Sequence, residues 1–238
     1  MRYLVVGRRP WNRRHFNDYL SPQKGEWHFC DTPQELTRLS SDAYQYIFFL
    51  HWSDKVPQEL IAERECICFH MTDVPYGRGG SPLQNLVSRG HRETVVTALR
   101  MTTEFDAGPV YAKRPLSLEG STAEEIFIRA SKLSCEIAID IANNRPIPTP
   151  QTGNPAFFKR RRPADSVLPS NADDVTTVFD HIRMLDATGY PSAFLESGKL
   201  RIEFSRAALY DGEVHADVRI TLSQPSSAPD KQHKDEHK

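Results

Sequence analysis

Two side chains of reactive type, Cys68 and His70, stand two residues apart where the apolar run Cys66 to Phe69 gives way to a loop reading Met71-Thr72-Asp73-Val74-Pro75-Tyr76-Gly77-Arg78-Gly79-Gly80-Ser81-Pro82-Leu83-Gln84. In an extended strand alternate residues share a face, so the thiol and the imidazole point the same way. An imidazole changes protonation near neutral pH and serves proton transfer. A thiol is a weak hydrogen-bond donor or, once ionised, a nucleophile. The Gly and Pro residues of the loop fix unusual backbone angles and let a ligand approach the main chain. On residue types alone two readings stand. One is an active-site pair at the carboxyl end of a strand, where open α/β sheets bind ligands. The other is a satisfied structural histidine beside a cysteine packed as a small apolar residue.

The elements that must carry this pair follow from hydrophobic pattern. Tyr3 to Val6 reads as a buried strand ending at Gly7, Glu26 to Phe29 as a weaker strand, and Pro33 to Leu39 as a short helix. Tyr46 to Leu50 is the clearest strand. Continuous apolar strands separated by helices predict an α/β fold, a mainly parallel sheet with helices on both faces. Glu93 to Met101 and Val110 to Arg114 read as two strands joined by a turn around Asp106-Ala107-Gly108-Pro109. Ser121-Thr122-Ala123-Glu124 has capping-box form and opens a helix to about Asn143, with Ile126, Ala130, Leu133, Ile137 and Ile141 on one face. Pro146, Pro148 and Pro150 forbid its continuation. Beyond them a helix near Asp173 to Leu185 and strands near Ser192–Leu195, Leu200–Phe204 and Val214–Ile220 make a small C-terminal α+β subdomain. The expected division is 1–145, a linker over 146–156, the subdomain over 157–222, and a disordered tail over 223–238, which has no aliphatic or aromatic core former beyond Ala228.

Composition narrows the function classes. Thirty Lys and Arg against 31 Asp and Glu give a net charge of −1, so no global positive field favours a nucleic-acid partner. The 39% of hydrophobic residues suffices for a sizeable core. No apolar run approaches the roughly 20 residues of a membrane span, and the start of the chain meets charge too early for a signal peptide. Cys30, Cys66, Cys68 and Cys135 form neither a disulfide framework nor zinc-ligand pairs, and His91, His181, His233 and His237 lack ligand spacing. A soluble, cytoplasmic chain with free thiols and no metal is expected.

The loop also resembles the N10-formyltetrahydrofolate-dependent formyltransferase family, which includes methionyl-tRNA formyltransferase and the sugar N-formyltransferases. That family's order is Asn-x-His, Ser-Leu-Leu-Pro, an Arg-Gly pair, a Pro, often a Gln, and then Asp-x-Gly. Here His70, Thr72-Asp73-Val74-Pro75, Arg78-Gly79, Pro82 and Gln84 fall in that order, and Phe105-Asp106-Ala107-Gly108 stands in place of Leu-Asp-Thr-Gly, with Asp106 lying 36 residues beyond His70. The resemblance implies a Rossmann-like fold, N10-formyltetrahydrofolate as cofactor, and attack of a substrate amine on the formyl carbon. It implies that His70 and Asp106 manage protons, and it places Cys68 where the family has an oxyanion-directed Asn. A thiol cannot match an amide as donor. So either His70 as imidazolium carries more of that task, or Cys68 is a tolerated substitute, a small packed residue, or a nucleophile forming a formyl thioester. Phe48 to Pro57 resembles the family's folate loop. The implied cofactor-binding residues are Phe49, Leu50, His51, Trp52 and Ser53, with Thr72, Asp73, Val74, Pro75 and Thr103. His51 and Trp52 equally suit packing against the protein.

Arg8, Arg9, Trp11 and Asn12, after the first strand, are placed to grasp a phosphate or sugar or to form a solvated loop, and Arg78 and Gly79 complete the expected substrate contacts. The run Lys159 to Arg162 suits a pyrophosphate or plain solvation, and Arg183 and Tyr190-Pro191 suit either substrate or surface. The short C-terminal region, with phrases such as Phe-Phe-Lys-Arg-Arg-Arg-Pro, resembles the sugar-directed members more than the tRNA-directed ones. The expected acceptor is therefore the amine of a nucleotide-linked deoxyamino sugar, in surface-glycan or nonulosonic-acid synthesis, with neither nucleic acid nor membrane as partner and a homodimer left open. The alternatives are a methionyl-tRNA formyltransferase-like activity, hydrolysis of the formylated cofactor, and a silent folate- or nucleotide-sugar-binding module.

Overall fold

The computed structural model describes residues 1–39 and 43–222, so the expected tail over 223–238 lies outside the described residues. The chain runs β1 (Arg2–Val6), α1 (Pro10–His15), β2 (Glu26–Cys30), α2 (Pro33–Leu39), β3 (Tyr46–Phe49), α3 (Gln58–Glu63) and β4 (Cys66–His70). Then follow β5 (Arg78–Gly79), α4 (Pro82–Val87), β6 (Glu93–Arg100), β7 (Val110–Ser117), α5 (Ala123–Asn144) and β8 (Phe157–Phe158). The last elements are α6 (Val175–Arg183), β9 (Ala193–Ser197), β10 (Leu200–Tyr210) and β11 (Glu213–Leu222). The main sheet has the order β2-β1-β3-β4-β6-β7. Its first four strands pair in parallel, and β6 and β7 join antiparallel.

Strand alternation explains why the apolar runs are continuous. Tyr3, Val5, Phe48 and Ile67 join one core with Ile126, Ala130, Ile137 and Ile141 of α5. Leu4, Val6, Ile47, Phe49 and Cys66 join a second core with Leu36 of α2 and Leu60 of α3. Each of the four parallel strands contributes to both cores, as a parallel sheet between helices must. The chain passes from β1 to β2 on one side and then to β3 on the other. The order therefore reverses between β1 and β3, and the crevice at their carboxyl ends is where such sheets bind ligands.

Three local readings gain detail. The cap of α5 is Thr122, not Ser121: its hydroxyl accepts from the Glu125 amide at 3.2 Å, and Glu125 Oε2 accepts from the Ser121 amide at 2.9 Å. Glu124 instead accepts from the Thr188 amide at 2.7 Å, tying the helix start to the C-terminal subdomain. The Pro-rich segment is not a free tether. Thr149 exchanges backbone hydrogen bonds with Val110, and the Ala156 carbonyl accepts from the amides of Gly77 and Arg78 at 2.9 and 3.0 Å. Arg183, for which substrate or surface was expected, is 1% exposed: it pairs with Asp180 at 2.6 Å and donates to the Leu118 and Gly120 carbonyls.

Candidate active site

His70 ends β4, buried, with its Nε2 2.8 Å from the Gly77 carbonyl oxygen. A carbonyl only accepts, so Nε2 carries a proton, and Nδ1 is the nitrogen left to exchange one. That nitrogen lies 3.7 Å from Asp106 Oδ1. The other carboxylate oxygen of Asp106 accepts from the Gly79 amide at 2.9 Å. The loop of Gly77 to Gly79 thus holds both members of the pair, through a carbonyl on one side and an amide on the other.

Asp106 adopts a left-handed backbone, φ +54°, which costs a non-glycine residue energy and persists only where the surroundings enforce it. Gln151, in the Pro-rich segment, does the enforcing. Its Nε2 donates to the carbonyls of Asp106 and Gly108, both at 2.8 Å, and its Oε1 accepts from Arg78 Nε at 3.1 Å and Nη2 at 2.8 Å. At Gly108 a Cβ would lie 1.8 Å from the Arg100 carbonyl oxygen, so only glycine fits. His51 (φ +50°) and Ser81 (φ +53°) are also left-handed, and with Asp106 they line one cavity. Strain is concentrated where the candidate chemistry sits.

That cavity, about 520 Å³, opens at the carboxyl ends of β3 and β4, with Asn12 of α1 at its edge. Phe49, Leu50, His51, Trp52 and Ser53, expected to meet the cofactor, line it, as do Thr103, Cys68, His70 and Asp106. Thr72, Asp73, Val74 and Pro75 do not. Thr72 is buried, its hydroxyl donating to the Gly77 carbonyl and its own carbonyl accepting from Thr97, and Asp73 pairs with Lys113. These four support the loop that holds His70. Of the residues expected to grasp substrate, Asn12 and Gly79 line the cavity. Arg8 pairs with Asp54 and lies over the Trp52 ring, and Arg9 donates to the Thr188 carbonyl at 2.7 Å. Trp11 is buried and stacked on Phe127, and Arg78 is held by Gln151 and Glu104.

Cys68 is half-buried at the cavity wall, and desolvation, aided by the Asp106 charge, pushes its thiol well above the usual range. A thiol so placed stays protonated and is a poor nucleophile. His51 meets the Tyr190 hydroxyl at 2.7 Å and packs on Phe127 at 4.4 Å between ring centres, and burial with the nearby Arg9 lowers its pKa to about 4. Packing against the protein, the alternative left open from sequence, is thus what His51 does, at the cavity wall. Trp52 Nε1 is buried without a hydrogen-bond partner among the described residues. Sequence reasoning missed Gln151 altogether, and only its place beside the Pro residues could have flagged it. Groups of three or more metal-ligand residues are absent among the described residues.

The model of the methionyl-tRNA formyltransferase C-terminal domain matches residues 163–221. A solved structure titled methionyl-tRNA formyltransferase from Clostridium thermocellum is 38% identical, covers 94% of this chain and 100% of its own, and superposes with a TM-score of 0.88. The chain belongs to the formyltransferase family. A methionyl-tRNA formyltransferase of Sulfurimonas denitrificans is 25% identical over 187 residues, which are 77% of this chain and 59% of that protein. The chain spans little more than half the length of the curated formyltransferases it matches first. A 4-N formyltransferase from Francisella tularensis, 14% identical with a TM-score of 0.64 over 94% of this chain and 98% of its own, shares the fold.

Proposed function

We propose that this chain is an N-formyltransferase that moves the formyl group of N10-formyltetrahydrofolate to the amine of a nucleotide-linked amino sugar. The observation that carries the transfer is the His70–Asp106 pair, held by one loop at the wall of a cavity that the folate-loop residues also line. The cavity suits the cofactor. Phe49, Val56, Ile61 and Met101 offer apolar surface, and the unpartnered Trp52 Nε1 offers a donor to a polar heterocycle. The bound cofactor supplies the formyl carbon. His70 Nδ1, backed by the Asp106 carboxylate, takes a proton from the attacking amine and returns one to the departing nitrogen. Cys68, kept as a thiol, offers at most a weak hydrogen bond to the formyl oxygen as charge grows there.

The small acceptor is favoured by charge. Residues 163–222 carry ten acidic and five basic side chains. Four of the five cations are already paired within the subdomain: Arg183 with Asp180, Arg201 and Arg219 with Glu203, and Arg206 with Asp217. Binding a polyanion needs several cations free to displace counterions. The second reading, methionyl-tRNA as acceptor, is favoured by the names of the Clostridium thermocellum and Sulfurimonas denitrificans proteins. The deciding experiment offers N10-formyltetrahydrofolate with methionyl-tRNA and with 3-amino and 4-amino nucleotide sugars, following tetrahydrofolate release and the acceptor's mass. Release that depends on an amino sugar, with gain of one formyl mass, is expected. Formate release without amine would make the chain a hydrolase, and binding without turnover would make it a silent module.

A further inference from the structure

The charged groups that line the cavity are unevenly satisfied. Each carboxylate has a protein partner: Asp54 pairs with Arg8, Glu104 with Arg78 at 3.4 Å, and Asp106 with the Gly79 amide and His70. Two cations, Lys55 and Arg160, line the same cavity and form no ion pair with any described residue. The cavity therefore presents two uncompensated positive charges and no uncompensated carboxylate, which suits anionic ligands.

Arg160 is also held in place. On its N-terminal side β8 pairs with β5, the Phe158 carbonyl accepts from the Gly80 amide at 3.1 Å, and the Lys159 carbonyl accepts from Asn85 Nδ2 at 3.1 Å. On its C-terminal side the Arg161 amide donates to Ser81 Oγ at 3.1 Å. The backbones touch so closely that a Cβ at Gly80 would lie 2.6 Å from the Arg160 Cα. Gly79, next in the chain, is the residue whose amide holds Asp106. A long cation is thereby mounted one residue along the loop that fixes the catalytic carboxylate, its head left exposed and unpaired. Lys159, Arg161 and Arg162 do not line the cavity; Arg161 Nη2 donates to the Asp165 carbonyl, and the Arg162 amide donates to the Asp165 carboxylate at 2.6 Å.

We propose that Arg160 is the anion contact of the acceptor, its guanidinium fork taking the phosphate oxygens of the nucleotide that carries the amine. A planar fork suits phosphate oxygens better than the ammonium of Lys55, which belongs to the loop assigned to the cofactor. This rests on reading the cavity as the formyl-transfer site. The shared chemistry is phosphate, whether the pyrophosphate of a nucleotide sugar or the phosphodiester at a tRNA end.

The test uses the full chain and inorganic pyrophosphate as probe, by calorimetry, with 5-formyltetrahydrofolate as the control ligand. Arg160→Gln should weaken pyrophosphate at least about tenfold and Arg160→Lys less, because one charge-assisted hydrogen bond accounts for that much. Affinity for 5-formyltetrahydrofolate should stay within about twofold. With an acceptor that the wild type formylates, Arg160→Gln should raise KM for that acceptor while kcat changes less, and the acceptor identifies which phosphate source is read. Unchanged pyrophosphate affinity in both variants overturns the proposal, and so does an equal loss of affinity for the folate ligand. If the wild type formylates no acceptor, the functional reading falls, while the pyrophosphate titration still decides the role of Arg160.

Discussion

An imidazole exchanges protons through whichever nitrogen its surroundings leave free, and at His70 the Gly77 carbonyl makes that choice by engaging Nε2. Replacing His70 with Asn, or Asp106 with Asn, should lower amine-dependent turnover by about 10²–10⁴ while leaving 5-formyltetrahydrofolate binding intact. Retention of a tenth of the activity would remove either from its role. Cys68 makes the opposite prediction. Its thiol is half-buried and pushed up, so Cys68→Ala should cost little, and Cys68→Asn should keep or raise turnover by restoring an amide donor. Intact-protein mass spectrometry after incubation with N10-formyltetrahydrofolate should show no formyl adduct, and one discharged by amine would restore the thioester route. Cys68 and His70 were legible as candidates from side-chain type and spacing, and Asp106 only through the family resemblance. Gln151 was not, because an amide in a polar stretch has no type-specific signature until its four hydrogen bonds are seen.

Among elements, the four parallel strands and α5 were legible because apolar runs and helical periodicity report burial directly. What pattern could not report is how loops meet. The expected phosphate grip of Arg8, Arg9 and Trp11 became contacts of the loop after β1 with Asp54, Thr188 and Phe127, all far away in sequence. The Pro-rich segment looked like a tether because prolines forbid helix, but prolines say nothing about which carbonyls the intervening residues will meet. Gln151→Ala should therefore act on chemistry more than on binding. Loss of its bonds to the Asp106 and Gly108 carbonyls frees the loop that presents the carboxylate, and a slight misplacement costs about tenfold to hundredfold in kcat. Steady-state kinetics should show that fall with KM for the acceptor little changed, and an equal change in KM would count against a positioning role.

At the scale of the molecule, the C-terminal subdomain is fastened to the sheet through aromatic and polar contacts around His51. Tyr190 stacks on Phe127 at 5.2 Å and meets His51 Nε2, while Thr188 receives Arg9 and donates to Glu124. With the folded His51 lowered to about 4 and the unfolded side chain near its ordinary 6.5, the unfolded chain binds the proton first as pH falls. The stability contributed is fully present above about 6.5 and is lost as pH drops toward 4. Thermal unfolding from pH 7 to pH 4 should show Tm falling more steeply in the wild type than in His51→Gln, and parallel curves would show that His51 does not carry the effect. The net charge of −1 reports only the absence of a global positive field, and it could not reveal that the subdomain's own cations are mostly paired. The Pro-rich crossing has a last consequence, for anyone treating the protein as modular. A seam between units is ordinarily where domains are swapped, permuted or fused to a tag, because few contacts cross it. Here the seam itself supplies Gln151 and Ala156 to the loops that hold His70 and Asp106. A chimera joined at residues 146–156 would inherit two intact halves and an unassembled centre, and a workable splice must lie on the far side of Phe158.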